Sequence, residues 1–303
     1  MTQNKLQAWV SAARLRTLPL SISGIITGTA LAYDENFFSW SIFILAIITT
    51  ILFQVLSNFA NDYGDGVKGT DNENRVGPKR AVQGGTITSS QMKIGVVIAA
   101  ILAFISAILL IYVSFSWSSF LYIFIFTVLA IIAIIAAIKY TVGDSAYGYH
   151  GLGDLFVFVF FGLVAVGGSY FLFTKSFDFF IMAPAITIGL LSVAVLNLNN
   201  MRDEESDRLS NKNTIVVKFG GRWARKYHFV IIAIAFGCIT YYSWQSFSSW
   251  NHLLPVLVIV PLSIHLTKVY KTNSNKLLDP ELKKVALSTF LLSLLFLASA
   301  VIS

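Results

Sequence analysis

Residues 39–71 read SWSIFILAIITTILFQVLSNFANDYGDGVKGTD and join a long apolar run to a cluster of carboxylates and amides. The apolar part, 39–56, approaches the ~20 residues that a helix needs to cross the hydrocarbon core of a bilayer. It does not show the strict alternation of apolar and polar residues that is typical of a barrel strand. The stretch therefore predicts a membrane-spanning helix with a polar end.

Long apolar runs of this kind recur along the whole chain. Hydrophobic residues make up 56% of the 303 positions and charged residues only 12%, and the mean hydropathy is +0.72, so lipid is the main solvent. We expect an all-α polytopic membrane protein, a bundle of nine transmembrane helices in one domain over residues 1–303, since no low-complexity linker divides the runs. The predicted spans are 17–33, 38–60, 92–113, 117–139, 152–173, 179–200, 227–247, 252–270 and 284–302.

The basic residues divide unequally between the two sides of this bundle. Of the 22 Lys and Arg residues, 21 fall on the side of the N-terminus and the loops after the even-numbered spans, and Lys175 alone falls on the other. Loops rich in Lys and Arg are typical of the cytoplasmic side. We therefore expect the N-terminus and these loops in the cytoplasm and the C-terminus outside. The net charge of +7 then reflects topology and not nucleic-acid binding.

The polar residues that end the second span fall at helical spacing. Asn58, Asn61, Asp62 and Asp65 stand at i, i+3, i+4 and i+7, which places them on one helix face. Carboxylates stacked in this way repel one another unless a cation lies between them. Carboxylate and amide oxygens suit Mg²⁺, which completes its shell with water and substrate phosphates. We predict Asn61, Asp62, Asp65 and the less regular Asp71 as metal ligands.

A second motif of the same composition ends the sixth span. In NLNNMRDEESDR, residues 197–208, the candidate ligands Asn199, Asp203 and Asp207 stand at i, i+4 and i+8. One such motif is also what a solvated helix end with interspersed acids and bases produces. Two Asn-plus-Asp motifs on the same predicted side, each followed by basic residues, favour a shared site that binds a diphosphate through bridging metal ions.

Basic and aromatic residues near the motifs complete the predicted site. Arg and Lys bind phosphate oxygens, and Tyr ring faces shield a carbocation, although Tyr and Lys at a span end are equally common as interface anchors. Asp154 opens an otherwise apolar span and is a candidate base. The predicted catalytic residues are Asp62, Asp65, Asp203, Asp207, Lys68, Tyr140 and Asp154. The predicted substrate-binding residues are Asn58, Lys68, Arg75, Arg80, Lys139, Tyr140, Tyr147, Arg202 and Arg208.

The two motifs resemble those of the UbiA-type intramembrane prenyltransferases, N-D-x-x-D in one cytoplasmic loop and D-x-x-x-D in another. Here these are residues 61–65 and 203–207. The family's first motif often continues to an Asp four residues further on, a position that Gly69 occupies in this chain. The likeness is greatest to members that prenylate 1,4-dihydroxy-2-naphthoate in menaquinone synthesis. It runs through residues 9–19, 61–71, 75–78, 149–162, 199–207 and 213–220.

The resemblance implies a central cavity with the motifs at its cytoplasmic mouth, in the bacterial cytoplasmic membrane. It implies Mg²⁺, a polyprenyl diphosphate donor, and prenylation of 1,4-dihydroxy-2-naphthoate with loss of carbon dioxide and diphosphate to give a demethylmenaquinone. Two alternatives stay open: a family member that acts on 4-hydroxybenzoate, homogentisate, haem or a chlorophyll precursor, and a cation-coupled transporter. A transporter is expected to carry acids near the bilayer midplane, whereas these acids cluster at one mouth.

Overall fold

In a computed structural model, nine long helices form most of the described part of the chain. The structure describes residues 4–71, 80–116, 119–272 and 274–303. Across these ranges the protein is helical without strands, which confirms the predicted all-α class and the number of spans. The helices are α1 Lys5–Asp34, α2 Trp40–Lys68, α3 Ser89–Phe115, α4 Phe120–Lys139, α5 Gly153–Thr174, α6 Phe179–Arg202, α7 Gly221–Gln245, α8 Trp250–Lys271 and α9 Asn275–Ile302.

Several helices extend beyond the predicted apolar runs because polar residues continue them. α2 continues through the first acidic motif to Lys68 and ends at Gly69, whose φ of +71° is the left-handed cap that favours glycine. α3 begins at Ser89, where Thr88 and Gln91 form a capping box. Apolar length therefore predicts the part of a helix in lipid but not its polar turns.

α1 is broken near its start. The helix Lys5–Ala13 ends at Arg14, which has a φ of +50°, and a 3-10 turn, Leu15–Thr17, leads into the membrane helix Leu18–Asp34. Pro19 lies in the first turn of that helix, where its missing N–H costs little. The break turns residues 10–17 toward the centre of the bundle, where most of them line a cavity.

Small residues let α5 pack closely against α1 and α6. The middle of α5, Phe158–Gly168, is a π-helix between two short α-helical ends. A Cβ atom added at Gly24 of α1 would lie 2.5 Å from the Cβ of Ala165, and one added at Gly162 would lie 2.6 Å from the carbonyl oxygen of Ala185 on α6. In lipid, such close van der Waals contact stabilises helix pairs. These contacts position α5 as one wall of the cavity.

The predicted central cavity is present and has a volume of about 1170 Å³. On α2 its lining extends from Ala46 to Asp65, which spans about 28 Å along the helix at the α-helical rise. The apolar part includes Phe53, Phe126, Ala133, Phe160, Val164 and Leu172. The polar end of the cavity includes Asn58, Asn61, Asp62, Asp65, Arg80, Tyr140, Asn199, Arg202, Lys212 and Asp279.

Candidate active site

The first acidic motif borders the polar end of the cavity. Asn61, Asp62 and Asp65 line it from the continuous helix α2, as their spacing predicts. Asp62 is 1% exposed and its Oδ2 accepts the backbone N–H of Ala81 at 3.3 Å. The Oδ1 of Asp65 accepts the hydroxyl of Tyr149 at 2.8 Å. Both carboxylates are thus buried and oriented by contacts from other segments.

Gly64 allows the loop between α4 and α5 to contact this motif. A Cβ atom added there would lie 2.6 Å from Oγ1 and 2.8 Å from the carbonyl carbon of Thr141. The Thr141 hydroxyl in turn donates to the carbonyl oxygen of Ala60 at 3.0 Å. The glycine between the two Asp residues therefore permits a backbone approach that any larger side chain would obstruct.

The variant Gly64→Ala is expected to lose about 1–3 kcal/mol of stability, because the new methyl group overlaps backbone atoms that cannot rotate away. The midpoint of thermal unfolding of the purified protein in detergent measures this loss. Gly237→Ala on α7 is the control, since a Cβ atom there meets nothing within 4 Å. Equal midpoints for Gly64→Ala and the wild type would contradict the close approach.

Two tyrosines of the α4–α5 loop line the cavity as predicted. The rings of Tyr140 and Tyr147 meet edge to face with centroids 5.3 Å apart. Tyr147 also stacks on Phe156 at 3.8 Å and donates its hydroxyl to the carbonyl oxygen of Ala136 at 2.7 Å. Burial raises the pKa of Tyr140 to about 12, so its hydroxyl remains protonated near neutral pH. The pair presents neutral aromatic faces beside the acidic motifs.

Arg202 binds the second acidic motif from within the protein. Its Nε and Nη2 donate to the two carboxylate oxygens of Asp203 at 2.8 and 2.6 Å, a bidentate pair, and Nη2 also donates to Asn199 at 2.8 Å. Its Nη1 donates to Asp279 on α9 at 2.5 Å. Arg202 lines the cavity, but its nitrogens already have partners. In this structure it orients two predicted ligands.

Lys212 lies between the two motifs. Its Nζ is 3.6 Å from Oδ1 of Asp207, and its side chain is 12% exposed. Burial lowers the pKa of Lys212, but the carboxylates of Asp65 and Asp207 outweigh this and raise it, so the ammonium stays charged. Burial raises the pKa of Asp207 to about 6, with Lys212 opposing the shift. The Oδ2 of Asp207 is buried without a hydrogen-bond partner among the described residues.

Other cations line the cavity: Lys212, one of the basic residues that accompany the second motif and suit an anionic ligand, and three that were not predicted as site residues. Lys212 follows the second motif in sequence, and a turn at Asn211, which has a φ of +55°, brings it back to the cavity. Arg14, Arg16 and Lys283 also line the cavity. Their sequence signal is weak because a basic residue beside a span indicates topology equally well. The packing of α1 and α9 brings these three residues to the wall of the same cavity.

Some predicted residues lie outside the lining of the cavity. Lys68 is exposed, with Nζ 4.0 Å above the ring of Tyr149, and Lys139 is also exposed. Asp154 is buried and accepts the hydroxyl of Tyr227 on α7 at 2.9 Å. The structure therefore does not bring these three predicted residues into contact with the cavity. Asp203 and Asp207 are also outside its lining, although their carboxylates contact Arg202 and Lys212, which line it.

The remaining predicted residues are paired with other charges or lie outside the described part. Asp71 forms an ion pair with Arg80 at 3.4 Å, and of these two Arg80 lines the cavity. Arg208 is exposed and pairs with Glu204 one helical turn away at 3.2 Å. Arg75 lies outside the described residues. Asp71 is thus placed beside a cavity cation and not in the cavity wall itself.

The donor set suits a hard cation that shares its shell with a substrate. Among the described residues, no three Asp, Glu, His or Cys side chains are close enough to form a complete metal cage. Mg²⁺ rarely needs one, since it usually takes one or two carboxylates and completes its shell with water and phosphate oxygens. The buried Oδ2 of Asp207 is a carboxylate oxygen available for such a bond. The residues therefore fit Mg²⁺ bound together with a diphosphate.

Comparison with known proteins agrees with this architecture. The model of the UbiA prenyltransferase family matches residues 21–299. The chain is 44% identical over 298 residues to a 1,4-dihydroxy-2-naphthoate octaprenyltransferase of Haemophilus influenzae, covering 98% of this chain and 96% of the relative. It is 40% identical over 303 residues to the protein of that name in Escherichia coli K12, covering 99% and 97%.

Solved structures share the fold at much lower identity. An apo structure of a UbiA homologue from Aeropyrum pernix K1 superposes with a TM-score of 0.69 at 15% identity, covering 95% of this chain and 98% of that one. A UbiA homologue from Archaeoglobus fulgidus bound to GPP and Mg²⁺ superposes with a TM-score of 0.63 at 16% identity, covering 96% and 98%. These structures agree in fold, and the family model and the two bacterial relatives confirm the resemblance in the motifs: the chain belongs to the UbiA prenyltransferase family.

Proposed function

We propose that the protein transfers a polyprenyl group from an allylic diphosphate to 1,4-dihydroxy-2-naphthoate. The observation that carries this proposal is that the first acidic motif, Asn199, Arg202 and Lys212 line the polar end of a long, largely apolar cavity. Asp203 and Asp207 lie directly behind this lining, in contact with Arg202 and Lys212. The polar end suits a diphosphate, and the apolar part suits an isoprenoid tail. The choice of acceptor is supported by the names of the two bacterial relatives.

The proposed metal is Mg²⁺, with oxygen ligands from both motifs. When bound, Mg²⁺ supplies positive charge that neutralises the departing diphosphate. The proposed ligands are Asn61, Asp62, Asp65, Asn199, Asp203 and Asp207. Arg202 orients Asp203 through its bidentate contact. A homologue bound to GPP and Mg²⁺ supports this choice of metal.

Side chains of the protein then assist the transfer in defined ways. Lys212 and Arg80 place positive charge where the diphosphate leaves. Nε of Arg80 forms the ion pair with Asp71, and its Nη1 is buried without a hydrogen-bond partner among the described residues. The faces of Tyr140 and Tyr147 stabilise the allylic cation. As the C–O bond to diphosphate breaks, the electron-rich ring forms the new C–C bond, and its carboxyl group leaves as carbon dioxide. The product is a demethylmenaquinone in its reduced form.

We further propose that the motifs face the cytoplasm of a bacterium. Nine apolar helices make the protein an integral membrane protein. The two motif-bearing helix ends meet at one end of the bundle, and the loops near that end carry nearly all of the Lys and Arg residues. The positive-inside rule then supports a cytoplasmic N-terminus and an outer C-terminus.

An acceptor panel tests the proposed function. Membranes that contain the protein are supplied with Mg²⁺, octaprenyl diphosphate and one acceptor at a time: 1,4-dihydroxy-2-naphthoate, 4-hydroxybenzoate or homogentisate. Mass spectrometry is expected to find a prenylated, decarboxylated product from the naphthoate alone. A product from 4-hydroxybenzoate with none from the naphthoate would overturn the assignment of the acceptor. Quinone analysis of a gene-deletion strain provides an independent check.

An aromatic cluster borders the apolar part of the cavity at Phe126. Phe115 of α3 lies 5.2 Å from Phe126 of α4, and Phe171 of α5 lies 5.7 Å from Phe126 and 5.0 Å from Tyr122. Of these four rings, Phe126 lines the cavity. A donor with a short tail bound at the motifs would not reach Phe126, whereas a long tail must bend or pass it.

The variant Phe126→Ala is therefore expected to favour long donors. We expect the ratio of kcat/KM for octaprenyl over geranyl diphosphate to rise by roughly tenfold, the size of effect that a small change in an apolar pocket produces. Steady-state kinetics with both donors measure this ratio. Phe124→Ala on the same helix is the control, since Phe124 is 58% exposed and does not line the cavity. An unchanged ratio would contradict contact between the tail and Phe126.

A further inference from the structure

A chain of buried polar side chains links the last four helices outside the cavity. It runs from Asn197 on α6 through His228 on α7 and His265 on α8 to Glu281 on α9, and each of these side chains is at most 2% exposed. The Nε2 atoms of the two histidines are 2.8 Å apart, and Nδ1 of His265 is 2.7 Å from Oε2 of Glu281. Lys284 donates to the other oxygen of Glu281 at 2.6 Å. Ionisable side chains buried within a membrane protein are costly, and they usually serve a function.

One contact with the backbone determines the direction of each hydrogen bond between Asn197 and Glu281. The amide nitrogen of Asn197 donates to the carbonyl oxygen of Ala224 at 3.0 Å, so the same amide group faces Nδ1 of His228 at 3.4 Å as a donor. Nδ1 of His228 must then accept, and its Nε2–H donates to Nε2 of His265. This leaves Nδ1–H of His265 to donate to the carboxylate of Glu281. Both histidines are neutral in this arrangement.

This series of hydrogen-bonded side chains holds the helices in place and does not conduct protons. A proton relay needs a group at each end that can take up and release a proton, and the chain ends at the amide of Asn197, which does neither. A metal ion between the histidines is also excluded by distance, since two ring nitrogens bound to one Zn²⁺ would each lie about 2.0–2.1 Å from it, whereas here the nitrogens contact each other at 2.8 Å.

Both ends of the hydrogen-bonded series lie close to residues of the second acidic motif or to their partners. On α6, Asn197 stands just before Asn199 and Arg202. On α9, Glu281 stands two residues after Asp279, which accepts Nη1 of Arg202. The contacts therefore form a closed circuit through α6, α7, α8, α9 and back to α6, and Asp203 is bound to that circuit through Arg202.

We infer that His228 and His265 are positioning residues that set the location of Asp203 relative to the first motif. This inference rests on the proposed Mg²⁺ and diphosphate site. Without the histidine link, α8 and α9 lose their polar contact with α7. The start of α9, with Asp279, is then less constrained, and Arg202 and Asp203 shift with it. Partners behind metal ligands affect affinity in this way elsewhere, by about 10–100-fold.

Metal binding to purified variants tests this inference without using catalysis. Mn²⁺ replaces Mg²⁺ as a paramagnetic probe, inorganic diphosphate is added, and free Mn²⁺ is measured by electron paramagnetic resonance. His265→Ala is expected to weaken Mn²⁺ binding by about tenfold. His252→Ala is the matched control, because His252 lies on the same helix and is 8% exposed, but it borders a separate cavity with Asp34 and Asp178. We expect it to bind Mn²⁺ like the wild type.

A second variant distinguishes the loss of the histidine contact from a failure to fold. His265→Asn retains an amide donor near Glu281 but cannot reach His228, so severalfold weaker binding is expected from a folded protein, as judged by its near-ultraviolet circular dichroism. Wild-type affinity in a folded His265 variant, or an equal loss in His252→Ala, would overturn the inference. Prenyl transfer by the wild type is assayed in parallel. Absence of transfer would count against the proposed function and leave the comparison of Mn²⁺ affinities intact.

Discussion

Replacement of Asp65 by Asn is expected to lower kcat for prenyl transfer by about a hundredfold to a thousandfold at saturating Mg²⁺. The amide is isosteric and still accepts the hydroxyl of Tyr149, so the fold is retained. The charge that would bind Mg²⁺ is lost. Asp203→Asn is expected to have an effect of similar size, because it also removes the charged partner of the buried Arg202.

Single-turnover rates of prenyl transfer at increasing Mg²⁺ concentrations measure these effects. Asp34→Asn is the control, since Asp34 is exposed and borders the smaller cavity that contains His252. Its turnover should equal that of the wild type. Near-normal turnover in both Asp65→Asn and Asp203→Asn would rule out the metal–diphosphate model, whereas a loss in only one of them would restrict the metal to one motif.

Replacement of Lys212 by Met is expected to lower kcat/KM for the donor by about a hundredfold. Met has a similar length but no charge, so the diphosphate loses a buried cation, which is worth more there than at the surface. The loss of the ammonium also leaves Asp65 and Asp207 without the positive group that now lies between them. Lys212→Arg should recover part of the activity, since the guanidinium restores the positive charge but has a different shape from the ammonium group.

Two controls separate this effect from a general loss of positive charge. Lys276→Met removes a Lys whose ion pair with Glu205 is exposed on both sides, and such pairs contribute little, so wild-type kinetics are expected. Additional Mg²⁺ is not expected to rescue Lys212→Met, because the metal does not replace a hydrogen-bond donor at that position. Donor kinetics equal to the wild type would exclude Lys212 from diphosphate binding.

Membership of the UbiA family removes one of the alternatives that the motifs leave open. A cation-coupled transporter also carries carboxylates within its apolar spans. The structure places Asp62 and Asp65 at one end of the cavity and pairs Asp203 and Asp207 with cations that line the same end, and the family match covers nearly the whole chain. The acceptors of other family members remain outcomes of the acceptor panel.

Periodic features were predictable because they depend on local spacing. The nine apolar runs predicted nine helices, and the i, i+3, i+4, i+7 spacing of the first motif predicted the face that Asn61, Asp62 and Asp65 share. The partners of individual polar side chains were not predictable in this way. Asp154 was a candidate base, yet its carboxylate contacts Tyr227. Arg208 was a candidate phosphate ligand, yet it pairs with Glu204 on the surface.

The sequence by itself indicated that lipid is the main solvent, that there are nine spans, that the motifs are expected on the cytoplasmic side of the membrane, and which family the motifs resemble. These follow from apolar length, charge placement and motif spacing, which act along the chain over a few turns of helix. The tertiary structure alone decided which side chains meet. Lys212, Arg80 and Arg14 reach one cavity, Arg202 turns inward to Asp203, and two histidines connect four helices. Such contacts join residues far apart in sequence, and only the packing of whole helices sets their distances.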